Sequence, residues 1–204
     1  MDGDFQAAYS NLTIAYQAQP TPSNAKLIFQ ALSSLHGKDK AISFLRKHIQ
    51  EQPADVQNQL LYAGLLLTTN TDNAITTYQQ MIELSPNSVI AHNNLAYLLM
   101  EKGQLKYAHK YALNALSLTS DNIMVLDTLG SIELKLGKKE KALERFKMAY
   151  SVSGGKLEEQ TWLHYIESLL VKGQKELAKR RIGQFTPISK SVTEKLAQLQ
   201  RDYF

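Results

Sequence analysis

The chain has 204 residues, of which 44% are hydrophobic and 21% charged, and its formal net charge is +4. These proportions are typical of folded globular proteins and exclude a disordered or fibrous chain. The absence of cysteine excludes disulfides, thiolate metal sites and a cysteine nucleophile. No apolar run approaches the ~18 residues of a membrane-spanning helix, and the first ten residues lack the apolar core of a signal peptide.

A repeat of about 34 residues runs along the chain. Six alanines are each followed by a partner at +4 and another at +7, a spacing that places all three side chains on one helical face. The alanines are Ala8, Ala41, Ala74, Ala108, Ala142 and Ala178. The single polar member of these sets is His48, which we expect to be a buried imidazole with satisfied hydrogen bonds.

Turn and capping residues divide the repeat into helix pairs. Turns are predicted at Gly3–Phe5, Gly37, Asn70, Gly103, Gly137 and Gly173, and helix starts at Asp55, Thr71/Asp72, Ser88 and Asp121. Ser191–Glu194 fits a capping box that opens a last amphipathic helix. The predicted order is a half repeat over 4–20, repeats over 22–54, 55–88, 89–122, 123–158 and 159–188, and a capping helix over 190–204, all in one array.

This pattern resembles the tetratricopeptide repeat (TPR). The best-matching units contain Asn94-Leu95-Ala96, Gly103, Ala108, Ala112 and Ala115, and then Leu126, Leu129, Gly130, Gly137, Ala142, Phe146 and Ala149. The resemblance implies an all-α fold, a right-handed α-solenoid of antiparallel helix pairs (TPR superhelix) with a C-terminal capping helix. The sequence departs from the family pattern at Glu133, where an apolar residue is usual, and at Phe29 and Ile166, where a small one is.

A closer resemblance covers about residues 91–183. The segment Leu126–Gly130 and the later Trp162–Tyr165 are similar to the closing repeats of bacterial TPR lipoproteins that accompany exosortase/PEP-CTERM protein sorting and exopolysaccharide export. This implies a location on the periplasmic side of the envelope, with a cytoplasmic location as the alternative. Because the half repeat over 4–20 lacks its own first helix, we also expect the chain to be a C-terminal fragment of a longer array.

The half repeat predicts a partner surface of its own. It lacks the first helix of its pair, so we expect Phe5, Tyr9 and Tyr16 to be exposed and to mediate self-association.

No motif indicates catalysis. The five histidines stand singly without zinc spacing, phosphate-binding glycine loops are absent, and Gly154-Gly155 is a turn insertion. Asp127 and Glu167 are expected on the inner face, but an open groove does not supply the closed pocket of an acid–base pair. We therefore predict a protein without enzymatic activity, with no catalytic residue, cofactor or metal.

The TPR resemblance implies a protein or peptide partner bound across the first helices of successive pairs. Amide side chains such as Asn93 and Asn94 can both donate and accept hydrogen bonds, and Tyr97 offers a flat apolar surface with a polar tip. The predicted groove residues are Ile90, Asn93, Asn94, Tyr97, Glu101, Met124, Asp127, Thr128, Ser131, Lys135, Gln160, His164 and Glu167.

Charge is uneven along the chain. Residues 1–100 have a balance of −2 and residues 101–204 a balance of +6. Acidic residues interleave with the basic ones, which is typical of a solvated helix surface, so no specific nucleic acid is expected. Two alternatives remain: a cytoplasmic TPR adaptor whose basic surface contacts nucleic acid or membrane, and a regulatory domain of a larger enzyme.

Overall fold

The computed structural model describes residues 2–67 and 70–204, with side chains from Gln6 onward. Every regular element in these ranges is an α-helix, which confirms the predicted all-α fold. The chain divides into two compact units, Met1–Pro86 and Asn87–Phe204. No described helix combines the length and the hydropathy of a membrane span.

The first unit contains five helices in its described residues. They are α1 (Asp2–Ala18), α2 (Pro22–His36), α3 (Lys38–Glu51), α4 (Val56–Leu66) and α5 (Thr71–Leu84). Helices α2 and α3 form one pair and α4 and α5 the next, while α1 packs against α2.

The second unit contains three pairs and a final helix. These are α6 (Val89–Glu101), α7 (Leu105–Leu118), α8 (Ile123–Lys135), α9 (Lys139–Val152), α10 (Glu159–Val171), α11 (Lys175–Ile182) and α12 (Lys190–Tyr203). We call the first helix of each pair, α2, α4, α6, α8 or α10, an A helix, and the second, α3, α5, α7, α9 or α11, a B helix. In this unit α8 packs against both α6 and α10, and α12 packs on α10.

Small side chains set the spacing within each pair. On every B helix the repeating alanine is fully buried, because a methyl group lets the two backbones approach closely; these alanines are Ala41, Ala74, Ala108, Ala142 and Ala178. The turns of the second unit pass through Gly103, Gly137 and Gly173, each with φ of +73°. Glycine adopts this left-handed backbone without the steric cost of a Cβ atom.

Some predicted helix starts are confirmed and others are off by a residue or two. Asp55 accepts a hydrogen bond from the Asn58 N–H, as predicted, and Ser88 caps α6 in the same way. Asn70 is not a left-handed turn: its φ is −156°, and its side chain caps α5 by accepting from the Asn73 N–H at 3.1 Å. Helix α5 begins at Thr71, as predicted, but its cap is Asn70 rather than Thr71 or Asp72.

Two further caps were assigned to the wrong residue. Asn122, not Asp121, caps α8, because Asn122 has the extended backbone of an N-cap and accepts from two N–H groups. Ser189, not Ser191, caps α12 and accepts from the Val192 N–H at 3.4 Å. In both places neighbouring short polar residues compete for one role, and the backbone conformation decides between them.

Helix α1 differs from the expected half repeat. It begins at Asp2, so the turn predicted at Gly3–Phe5 is helical. Tyr9 and Tyr16 are half-buried rather than exposed. Their rings lie 6.1 Å from that of His36 and 5.4 Å from that of Phe44, because the side of α1 that carries them packs on α2 and α3. The side chain of Phe5 lies outside the described residues.

A buried hydrogen-bond chain joins α1, α3 and the start of α4. His48 is 1% exposed, and its Nε2 donates to Asp55 Oδ2 at 2.8 Å while its Nδ1 accepts from the Tyr16 hydroxyl at 2.7 Å. Asn58 Nδ2 donates both to the same carboxylate at 2.6 Å and to the carbonyl of Pro22 at 2.9 Å. The prediction of a buried, satisfied imidazole is confirmed.

The ring of Phe146 on α9 packs directly against Gly130 on α8. A Cβ atom added there would lie 2.7 Å from Cζ of Phe146, whose ring is fully buried. Glycine is therefore required at this position by the aromatic residue on the partner helix.

The departure from the family pattern at Glu133 has an electrostatic explanation. This side chain is buried on α8, with His109 Nε2 of α7 at 3.4 Å from one carboxylate oxygen and Arg145 Nε of α9 at 3.5 Å from the other. The Arg145 guanidinium and the His109 imidazole, one from each flanking B helix, offset part of the cost of burying this carboxylate.

Hydrogen bonds connect the start of α12 to helix α10 of the last pair. The carboxylate of Glu159 on α10 accepts from the backbone N–H groups of Ser189, at 2.7 Å, and of Ile188. These hydrogen bonds hold the pKa of Glu159 below its usual range. Further along α12, Val192 and Leu196 are buried in the apolar cluster of α10.

We predict that Gly130→Ala lowers the free energy of unfolding by about 1–3 kcal/mol, because the new methyl group overlaps a buried ring that has no room to move. Gly64→Ala on α4 is the matched control: no atom lies within 4 Å of its added Cβ, and alanine is the better helix former by about 1 kcal/mol. Urea titration followed by circular dichroism measures both. Equal effects of the two substitutions would contradict the close approach.

We also predict an acid-sensitive contribution from Asp55. Burial raises the pKa of this carboxyl, but hydrogen bonds from Asn58 and His48 more than offset the increase and leave the pKa below its ordinary value. The ionised form is therefore favoured in the folded state. Its contribution is fully present above the unfolded pKa and is lost as pH falls through the folded value.

Asp55→Asn should accordingly lower stability at neutral pH by about 1–3 kcal/mol and flatten the loss of stability between about pH 5 and pH 2. Asp39→Asn changes the charge equally at an exposed position of α3 and serves as the control. Thermal melts across that pH range give the comparison. Identical acid profiles for the two variants would show that Asp55 does not carry this dependence.

Candidate partner-binding groove

The A helices of the second unit border an open groove. It has a volume of ≈ 630 Å³ and is lined by α6, α8 and α10 and by the loops that precede α8 and α10. Seven predicted residues line it: Asn93, Asn94, Tyr97, Met124, Asp127, Thr128 and Gln160. Sequence reasoning missed six others: Asp121, Asn122, Ile123, Lys156, Glu158 and Thr161.

The other six predicted residues lie outside this lining. Glu101 and Lys135 form an ion pair at 4.0 Å with half of each side chain exposed, and such surface pairs contribute little stability. Ser131 is buried, Glu167 half-buried and Ile90 exposed. The sixth, His164, lies outside the lining but forms hydrogen bonds with two residues of it.

His164 holds two groove residues in place. Its Nδ1 lies 2.9 Å from Asp127 Oδ1 and 3.2 Å from Ser131 Oγ, and its Nε2 is 2.8 Å from Gln160 Nε2. Because the Gln160 amide donates to Nε2, the ring proton is assigned to Nδ1, which donates to Asp127. Ser131 and Asp127 share one ring nitrogen, so His164 cannot relay a proton between them.

One side-chain oxygen of the groove, Oδ1 of Asn93, is buried without a hydrogen-bond donor. The Asn93 side chain is 6% exposed, and its Oδ1 is enclosed without a hydrogen-bond partner. A buried acceptor left without a donor costs about 1–3 kcal/mol. A ligand that brings a donor to this amide would recover part of that cost.

Apolar side chains face solvent beside this amide. Met124 is 65% and Tyr97 47% exposed, although both lie on helices with well-buried opposite faces. Large exposed side chains of these two types are common in protein interfaces.

The lining carries a negative balance. Asp121, Asp127 and Glu158 contribute three carboxylates against the single ammonium of Lys156. The second unit as a whole has 18 basic and 12 acidic residues, a balance of +6. The net charge of the groove lining is therefore negative, whereas the net charge of the second unit that contains it is positive. Among the described residues, no cluster of side chains could hold a metal ion.

Comparison with known proteins identifies the repeat. Residues 70–103 match the family model of the TPR repeat. The structure of PilW, titled a widely conserved type IV pilus biogenesis factor, superposes with a TM-score of 0.71 at 17% identity over 96% of this chain and 92% of that one. The chain has the tetratricopeptide-repeat fold.

Other solved TPR-like structures agree with this assignment. PilF of Pseudomonas aeruginosa gives a TM-score of 0.72 at 16% identity, over 97% of this chain and 91% of that one. MamA gives 0.65 at 18% identity, over 85% of this chain and 97% of that one. No curated protein matches. At these identities the likeness establishes the fold.

The TPR pattern did not point to the loop residues of the groove. Asp121 and Glu158 lie just before A helices, where acidic residues are ordinarily explained by the helix dipole, so nothing local marks them as groove residues. A second groove of ≈ 560 Å³ between α3, α4 and α5 also went unpredicted; it is lined by B-helix residues such as Arg46 and Gln80.

Proposed function

We propose that this TPR chain is a non-enzymatic scaffold that binds a protein partner in the groove between α6, α8 and α10. The observation that carries the proposal is the unsatisfied Asn93 amide in a groove flanked by exposed Met124 and Tyr97. Such a lining combines exposed apolar contact area with a buried acceptor that lacks a donor, and a protein partner can satisfy both.

We further propose that the chain belongs to a larger bacterial envelope protein linked to protein sorting or exopolysaccharide export, on the periplasmic side. Support comes from the sequence resemblance over residues 91–183. In the same proposal, residues 1–204 form a single array of one half repeat, five repeats and a capping helix.

The alternative of a basic adaptor surface has weaker support. Several of its basic residues are engaged within the second unit: Arg145 with Glu133, Lys172 with Glu140, and Lys179 with Glu176. Arg181 lies over the ring of Tyr150 at 4.2 Å. These contacts leave fewer charges for nucleic acid or membrane. A regulatory role beside a separate catalytic domain is the other alternative.

We predict that a photoreactive benzoylphenylalanine placed at Met124 cross-links the partner in cells. Adding Asn94→Ala and Asp127→Ala should reduce the adduct severalfold with unchanged helicity, because the polar contacts are lost while the apolar helix faces remain. The same probe at Tyr107, which is exposed on B helix α7, is the control.

Equal adducts from Met124 and Tyr107 would place binding outside the groove. The adduct also reports on the compartment. An envelope protein recovered from it supports the periplasmic proposal, and a cytoplasmic protein contradicts it.

We also propose that the chain self-associates through α1. Tyr9 and Tyr16, which were expected to be exposed, are half-buried, but Ala8 and Ala15 are exposed and Ile14 is 66% exposed. No charged residue occurs between Phe5 and Ala25. An uncharged helix face with an exposed isoleucine favours burial against a like surface.

Ile14→Glu should therefore keep the chain monomeric at concentrations where the unsubstituted chain dimerises. Ile188→Glu, at a still more exposed isoleucine in the loop before α12, should leave dimerisation unchanged. Sedimentation equilibrium over a concentration series measures both. A mass that stays monomeric up to millimolar unsubstituted protein would refute self-association.

A further inference from the structure

We propose that the groove between α6, α8 and α10 takes an extended segment that carries lysine or arginine side chains. This inference rests on the proposed scaffold function and names the chemistry of the partner. It requires three matching features in the groove: uncompensated negative charge, an acceptor for main-chain N–H groups, and an apolar contact.

The negative charge is available to a ligand. Glu158 occupies the N-cap position of α10 but makes no side-chain capping hydrogen bond, and the cap of α8 is Asn122 rather than its neighbour Asp121. In the described residues neither Asp121 nor Glu158 forms an ion pair. Asp121 has one contact, from the Thr119 hydroxyl at 3.3 Å. Helix capping therefore does not account for these carboxylates.

The negative charge of the groove lining favours some partners over others. The rest of the second unit is strongly positive, so an acidic peptide or a nucleic acid would be drawn to its outer surfaces and repelled by Asp121, Asp127 and Glu158. Within the second unit, a cationic segment is repelled by the net positive surface and attracted by the carboxylates of the groove. Complementary charge of this kind contributes specificity more than raw affinity.

The Asn93 amide indicates an extended main chain. Asn93 lines the groove, and its enclosed Oδ1 lacks a donor. A helical ligand already uses its N–H groups internally, whereas an extended segment has them free. Beside this amide, Met124 and Tyr97 provide the contact for one apolar side chain.

The test uses the whole chain and three fluorescent peptides, acetylated and amidated, of sequence Ser-Gly-Leu-Xaa-Ser-Leu-Xaa-Gly-Ser, where Xaa is lysine, glutamine or glutamate. Fluorescence anisotropy gives their affinities. At about 20 mM salt we expect the lysine peptide to bind about tenfold more tightly than the glutamate peptide, with glutamine between them. At about 500 mM salt screening should remove most of this difference.

Two double variants separate the groove from general charge. Asp121→Asn with Glu158→Gln should abolish the preference for lysine. Glu144→Gln with Glu194→Gln changes the net charge equally at exposed positions on α9 and α12 and should preserve it. Asn93→Ala should weaken all three peptides by a similar factor.

Equal affinities for the three peptides, or a preference for glutamate, would overturn the cationic assignment and leave groove binding in place. So would a lysine preference that survives the groove variant unchanged. Failure of all three peptides to bind at low salt would overturn both the extended cationic ligand and the groove as its site.

Discussion

The close approach of two helix backbones within each pair is the constraint on which the rest of the structure depends. A methyl side chain at one B-helix position, fully buried in all five complete pairs, brings the A helix near enough for larger residues on either side to interlock. At Gly130 even a methyl group would not fit, because the ring of Phe146 occupies the space where a Cβ atom would lie. The A helices of the second unit carry most of its buried side chains, and the groove is lined by polar and exposed residues on another side of the same helices. Packing and function are thereby assigned to different faces of the same helix.

Periodicity predicted this packing well, because burial of one helical face is a property of spacing. The turn glycines and the buried His48 were recognisable for the same reason. The identity of the capping residue was not recognisable. Asn122 rather than Asp121 caps α8, and Ser189 rather than Ser191 caps α12. The backbone conformation decides which residue is the cap, and the sequence does not distinguish between nearby polar residues. The half repeat misled in another way. A missing partner helix was expected to expose Tyr9 and Tyr16, but α1 turns that side toward α2 and α3.

The sequence predicted the helical residues of the groove but not its loop residues. Helix periodicity fixes the position of a helical side chain, whereas the position of a loop residue depends on the tertiary fold. Helix register places Asn93, Tyr97, Met124 and Asp127 on one side of the A helices, so their approximate position follows from the repeat. The orphaned oxygen of Asn93 depends on side-chain packing that no spacing rule describes. Asp121 and Glu158 join the groove only because inter-repeat loops fold beside it. The electrostatic character of the groove, opposite in sign to its surroundings, thus emerges from tertiary structure.

The link between Glu159 and the start of α12 bears on how the second unit resists opening. Repeat folds lose order most readily from their outermost elements, where each helix has a neighbour on one side only. The Glu159 carboxylate accepts hydrogen bonds from the two backbone N–H groups just before α12, so detachment of α12 breaks polar and apolar contacts together. Opening of α10 therefore requires the loss of these hydrogen bonds and of the apolar contacts of α12, so α12 supports the last wall of the groove.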